Sequence, residues 1–230
     1  MTYKYTAIIV EPRNHRALHF VLSNALDCLS SEWKIILFHG NDNVDYANSV
    51  ADKLNAERLS LIQLDISNLD LISYSRLFGT KSVIYDSILT ENFLVFQTDS
   101  MFFKRNAHKV YDFLEYDYVG SPWLITHYIP TKNCGFIGNG GCSLRRKTKM
   151  LEIIDNIPWD NKYEDLYFST NYPNIHVHKP DYNKATNFGV DEVFSENPFS
   201  CHKPWVHKHY EVFKTIYPEC EILRELNIPL

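Results

Sequence analysis

Residues 93–103 read FLVFQTDSMFF, a run of large apolar side chains broken once by Gln97, Thr98, Asp99 and Ser100. An unpaired carboxylate inside such a run is either expensive or driven neutral. The break therefore marks the end of a buried strand at Phe93–Phe96, with Asp99 beyond it facing something that takes an oxygen ligand. Upstream, the β-branched run of Thr6–Val10 reads as a strand closed by Glu11 and Pro12. Leu18, Val21, Leu22, Ala25, Leu26 and Leu29 recur at helical spacing, with Asn14 as the expected cap. Lys34–Phe38 reads as a second strand, 46–54 as a helix, 59–64 as a third strand and 74–89 as one long helix. Such alternation builds parallel α/β sheets, which take ligands outside the carboxyl ends of their strands. Asp99 falls at such an end.

Beyond residue 104 the alternation loosens. A helix over 107–116, the run DYVGSPW at 117–123, a strand pair around CGFIGNGGCSLRR at 134–146 and a helix over 150–156 are expected. Neither a repeat nor a linker interrupts the chain, so one domain is expected.

The chain has 230 residues, 45% of them hydrophobic, enough to bury a core. A net charge of -5 argues against a nucleic-acid binder, since phosphate affinity comes from clustered Lys and Arg. The one compact basic run is Arg145, Arg146, Lys147 and Lys149. Five scattered cysteines without a CxxC pair fit free thiols in a reducing compartment. The apolar stretch near the start is too short for a signal peptide or a membrane span, so a cytoplasmic protein without a membrane span is expected.

Four runs carry more information together than singly: QTDS at 97–100, DYVGSPW at 117–123, GNGGCSLR at 138–145 and HKPW at 202–205. Their order and spacing resemble the motif set of GT-A fold glycosyltransferases, and their wording is similar to an uncharacterised family within or beside that superfamily. The resemblance implies a Rossmann-like, mostly parallel central sheet with helices on both faces and an irregular C-terminal half. Residues 1–104 would be the nucleotide side and 105–230 the acceptor side. It also implies transfer of a sugar, of the hexosyltransferase type, from a nucleotide-diphosphate donor, a UDP-sugar first, to a glycan or other hydroxyl acceptor.

Under that resemblance Gln97-Thr98-Asp99 corresponds to the D-x-D run. Asp99 matches the carboxylate that binds Mn²⁺ or Mg²⁺, and Gln97 replaces the first carboxylate while keeping a carbonyl for a ribose hydroxyl. His202 resembles the histidine that completes the cation site. Gly140 and Gly141 resemble the glycine-rich loop at the sugar; a hairpin turn explains them equally. Glu164 and Asp165 match the acidic run that contacts the acceptor, with Asp165 the expected base of an inverting reaction and Glu164 the alternative. Acidic residues also favour the first turn of a helix for electrostatic reasons alone. Arg76 is a candidate contact of the diphosphate. Trp123 reads as structural, and Trp205 is open between packing and stacking on a ligand.

Two other readings use the same residues. A zinc protein could draw on His176, His178, His202, His207 and His209, although no HExxH occurs. A sugar-nucleotide or glycan binder without turnover is suggested by Gln97. A Rossmann oxidoreductase needs a glycine fingerprint after the first strand, where VEPRNHR stands.

Overall fold

Thr6–Val10 lies in strand β1 (Tyr5–Val10), whose side chains alternate between two cores. Ala7 and Ile9 pack with Leu18, Val21, Leu22 and Ala25 of helix α1 (Leu18–Cys28) on one face. Ile8 and Val10 pack with Phe78, Ile84 and Tyr167 on the other. Each fully buried Val, Leu, Ile or Phe among them contributes about 1.5–3 kcal/mol of hydrophobic stabilisation. The computed structural model describes residues 2–126 and 133–228.

The first half follows the expected alternation. Strand β2 (Trp33–His39), helix α2 (Val44–Leu54) and strand β3 (Leu59–Gln63) come next, followed by helices α3 (Leu71–Gly79) and α4 (Val83–Ser87) and strand β4 (Asn92–Phe96). Strand β5 (Ser100–Phe102) leaves the main sheet directly after β4. Strands β6 (Tyr118–Pro122) and β7 (Ile137–Arg146), helices α5 (Lys147–Asn156), α6 (Glu164–Ser169) and α7 (Tyr182–Ala185), strands β8 (Gly189–Val190) and β9 (Ser200–His202), and helices α8 (Tyr210–Ile216) and α9 (Glu219–Asn227) complete the described chain.

Among the described residues, the main sheet has the order β3-β2-β1-β4-β7-β6. The β3-β2-β1-β4 part is parallel, while β7 runs antiparallel to both β4 and β6. A small sheet of order β5-β9-β8 stands beside it. The mostly parallel α/β sheet with helices on both faces is thus as the sequence suggests.

Several local expectations need correction. The helix read over 74–89 is two helices, α3 and α4. Gly79 ends the first against Trp159, where a Cβ would come within 2.6 Å of the indole, and Ser82 caps the second. The apolar spacing continues across the break, which hides it in the sequence. Asn14 does not cap α1: His15 Nδ1 accepts the Ala17 N–H at 3.2 Å instead. The 107–116 segment is a 3₁₀ helix over Lys104–Phe113. Residues 137–146 form one long strand rather than a hairpin, so Gly140 and Gly141 sit inside β7.

Candidate active site

The interruption after β4 is a sharp turn that moves the chain from one sheet to the other. The Gln97 N–H donates to Ser100 Oγ at 2.7 Å, and the Ser100 N–H donates back to the Gln97 carbonyl at 3.1 Å. Ser100 Oγ also lies 2.9 Å from the Gly141 carbonyl, tying the turn to β7. β5 then pairs with β9 so that Ser100 stands opposite His202. Asp99 is carried to the junction of the two sheets, beside the imidazole.

Two adjoining cavities meet there. The larger, about 300 Å³, is bounded by Glu11, Arg13, Gln97, Asp99 and Lys203. The smaller, about 200 Å³, is bounded by Gln97, Gly140, Glu164, Asp165, His202 and Lys203. Gln97 and Lys203 line both. The described residues also enclose a roomier hollow of about 650 Å³ at the opposite end of the sheet, lined by Thr6, Lys34, Ile36 and Leu89. It lies at the amino ends of β1 and β2 and holds none of the motif residues. Ligands of open α/β sheets bind at the other end.

At the junction, Asp99 Oδ1 is 3.3 Å from His202 Nε2, and Asp99 Oδ2 is 3.1 Å from Lys203 Nζ. Burial works to raise the Asp99 carboxyl, but His202 and Lys203 hold it well below the usual carboxylate range. Burial likewise disfavours a charged imidazole, yet Asp99 and Asp191 push His202 up to about 9. Lys203 adopts the left-handed region at φ 42°, and its N–H donates to the Asp99 carbonyl at 3.0 Å. This strained residue places its ammonium between the cavities.

The pair suits a divalent cation. Asp99 Oδ1 and His202 Nε2 are buried and close without being aligned as a hydrogen bond, so neither has such a partner. Neighbouring ligands of an octahedral ion with bonds of about 2.1 Å stand about 3 Å apart. Among the described residues no three His, Cys, Asp or Glu side chains form a complete cage. Magnesium-type sites commonly use one or two protein ligands and take the rest from substrate phosphates and water. Binding an ion at His202 competes with the proton that the ring otherwise carries.

On the far wall, α6 presents two carboxylates in different settings. Glu164 is buried and its Oε1 accepts from Arg145 Nη2 at 3.0 Å. Arg145 is itself fully buried, its guanidinium 5.1, 5.2 and 5.7 Å from the rings of Phe78, Tyr118 and Phe168. Asp165 is only partly buried and faces the smaller cavity. Its Oδ1 accepts the Leu166 N–H at 2.7 Å and its Oδ2 the Gly140 N–H at 3.4 Å. Desolvation, then the charge of Glu164, pushes Asp165 up to about 7. The two glycines of β7 permit close approach. A Cβ on Gly140 would stand 2.5 Å from Glu164 Oε1, and one on Gly141 would stand 2.3 Å from the His202 ring.

Gln97, Asp99, Gly140, Gly141, Glu164, Asp165 and His202 therefore converge. Arg76 does not: it points outward on α3 over the Trp159 ring at 5.4 Å, while Tyr74 and Ser75 of the same helix line the cleft. Neither Trp123 nor Trp205 lines either cavity; Trp123 is buried and Trp205 packs on the core. His176 and His178 are exposed on a segment where Val177 points inward. Sequence reasoning missed Arg13, Lys203, Asn139 and Asp191. Lys203 and Asn139 carried a signal, as the neighbour of His202 in HKPW and as part of the GNGG run.

The sheet order, parallel from β3 to β4 with β7 antiparallel and helices on both faces, is the GT-A fold of solved glycosyltransferase structures. The chain belongs to the family described as "Protein of unknown function (DUF5672)", whose family model matches residues 58–202. No curated protein matches the sequence. Solved structures that share the fold include the following three. The glycosyltransferase GlyE of Streptococcus pneumoniae TIGR4 superposes with a TM-score of 0.56 at 13% identity over all of this chain and 65% of that one. The galactosyltransferase LgtC, solved with donor and acceptor sugar analogs, gives 0.56 at 14% identity over 97% of both chains. TarS 1–349 of S. aureus with UDP-GlcNAc gives 0.52 at 13% identity over 99% of this chain and 68% of that one. This chain thus spans about two thirds of GlyE.

Proposed function

We propose that the protein transfers a sugar from a nucleoside diphosphate donor to a hydroxyl acceptor, with inversion at the anomeric carbon. The observation that carries the reading is the meeting of Asp99, His202 and Lys203 with Asp165 across two adjoining cavities. The larger cavity takes the nucleoside diphosphate, and the smaller takes the sugar and the acceptor. The N-terminal half supplies Glu11, Arg13 and Asp99 to the donor side, and the C-terminal half supplies the acceptor wall. The structure of TarS with UDP-GlcNAc supports a uridine nucleotide as the first donor to try.

Asp99 and His202 would hold Mn²⁺ or Mg²⁺, which when bound neutralises charge on the diphosphate. Lys203 supplies a fixed positive charge between the cavities, where charge develops on the leaving group. Asp165 orients the acceptor hydroxyl and takes its proton as the oxygen bonds to the anomeric carbon. The electron pair of the breaking carbon–oxygen bond leaves with the diphosphate. A base whose pKa lies near neutrality suits this task. Glu164, locked by Arg145, holds its place and raises its neighbour. Cys28, Cys142, Cys201 and Cys220 carry free thiols, which supports a reducing compartment such as the cytoplasm, and no helix of the described residues is long and apolar enough to cross a membrane.

Gln97, which stands where a second carboxylate is expected, favours one alternative: a binder of sugar nucleotides without turnover. A panel of sugar nucleotides incubated with acceptors and Mn²⁺ separates the two. Release of nucleoside diphosphate establishes transfer or hydrolysis; saturable binding without release leaves the binder.

A further inference from the structure

The GVDE run at 189–192 plays no part in the reaction just described, yet it carries a buried carboxylate against the candidate cation site. Asp191 is 6% exposed and follows the short strand β8, whose parallel pairing with β9 sets Val190 beside Cys201. His202, the next residue, turns Nε2 toward Asp99 and Nδ1 toward Asp191 Oδ2 at 3.7 Å. Nδ1 is buried without a hydrogen-bond partner. Asp191 Oδ1 is 3.0 Å from His207 Nε2, and Oδ2 accepts Asn139 Nδ2–H at 2.5 Å. Asn139 Oδ1 in turn accepts the Gly141 N–H at 3.0 Å, and Gly141 is the residue whose missing Cβ makes room for the His202 ring.

We propose that Asp191 is a positioning residue of the cation site, one that fixes the ring orientation of His202 directly and the Gly140–Gly141 segment through Asn139. The inference rests on the reading of Asp99 and His202 as cation ligands. Metal-binding histidines commonly turn their second ring nitrogen to a carboxylate, which sets the tautomer and aims the first nitrogen at the ion. Asp191 stands on the Nδ1 side, leaving Nε2 free to face Asp99. His207 and Asn139 fix the two oxygens of Asp191, so the carboxylate cannot rotate away from the ring. A carboxylate present only for packing would have no need to face, at ion-pair distance, a buried ring nitrogen that has no hydrogen-bond partner.

The test titrates Mn²⁺ into the protein in the presence of UDP and reads the loss of the free-ion paramagnetic resonance signal. Asp191→Asn keeps the side-chain shape and is expected to weaken Mn²⁺ binding by about 10- to 100-fold, the range for lost outer-shell carboxylates. His202→Ala is expected to weaken it as well. Adding Asp191→Asn to His202→Ala should cause no further loss, because residues acting through one another are not additive. Wild-type affinity in Asp191→Asn, with His202→Ala impaired, overturns the inference. So does a full additional loss in the double variant. Wild-type affinity in His202→Ala itself takes down the cation-ligand reading and this inference with it, and that single variant identifies the case. Asp191→Ala provides a control: a purely structural role lowers its melting temperature while its Mn²⁺ affinity stays unchanged.

Discussion

Asp99 Oδ1 stands 3.3 Å from His202 Nε2 because the β5–β9 pairing sets Ser100 opposite His202. The two side chains come from segments far apart in the chain and meet only when the small sheet forms beside the large one. Asp99→Ala is expected to abolish both activity and the Mn²⁺-dependent part of nucleotide binding. Thermal-shift titration with UDP, with and without Mn²⁺, checks this, since a ligand that binds only the folded state raises the melting temperature by mass action. A variant that keeps its Mn²⁺-dependent shift would place the ion elsewhere.

Asp165 couples activity to stability. Its carboxyl is raised to about 7 in the folded protein, so activity should climb with pH through neutrality as the base ionises. Stability runs the other way: between the ordinary carboxyl range and about 7 the unfolded chain gives up a proton that the folded chain keeps. The folded state therefore loses stability as pH rises through that window. Asp165→Asn is expected to cut transfer by about 10² or more while sparing donor binding. The same variant should be more stable than the parent at pH 8 and equal to it near pH 3. Kinetics and chemical denaturation at both pH values measure the two effects, and unchanged turnover would remove Asp165 from the reaction.

The parallel half of the sheet and the ligand edge were legible because strands and helices there carry clean apolar periodicity. Asp99 was legible as a polar break in such a run. What hid were features created by pairing. Asp191 follows a strand of two residues, too short for any pattern, and acquires its neighbours only through β9. Gly140 and Gly141 read equally as a turn, since a glycine demanded by side chains from another element looks in sequence like a glycine demanded by backbone rotation. Arg76 was placed by the resemblance, on the helix before the Asp99 strand, but helical geometry sends it outward from Tyr74 and Ser75.

The glycines of β7 can be tested by one methyl group. A Cβ at Gly141 would meet the His202 ring at 2.3 Å, far inside contact distance. Gly141→Ala is expected to destabilise the protein by about 1–3 kcal/mol, the usual cost of overpacking, and to displace His202 from Asp99. Urea denaturation reads the first effect, and Mn²⁺-dependent UDP binding the second. A variant with normal binding would show that the ring can shift without leaving its ligand position.

The buried pair behind the acidic helix links stability to the proton-accepting group. Glu164 and Arg145 are both removed from water, and deleting one partner leaves the other charged and unpaired, at a cost of about 3–5 kcal/mol. Glu164→Gln should show that loss in a denaturation midpoint. It also removes a negative charge that raises Asp165, so the acid limb of the pH–rate profile should move to lower pH. Replacing Arg145 by Met in the same protein removes the stranded guanidinium, and stability should recover while the acid limb moves only part of the way back, because Arg145 lowers Asp165 by less than Glu164 raises it. If the limb stays in place in both variants, the charge of Glu164 does not act on the base, and its role is confined to holding Arg145.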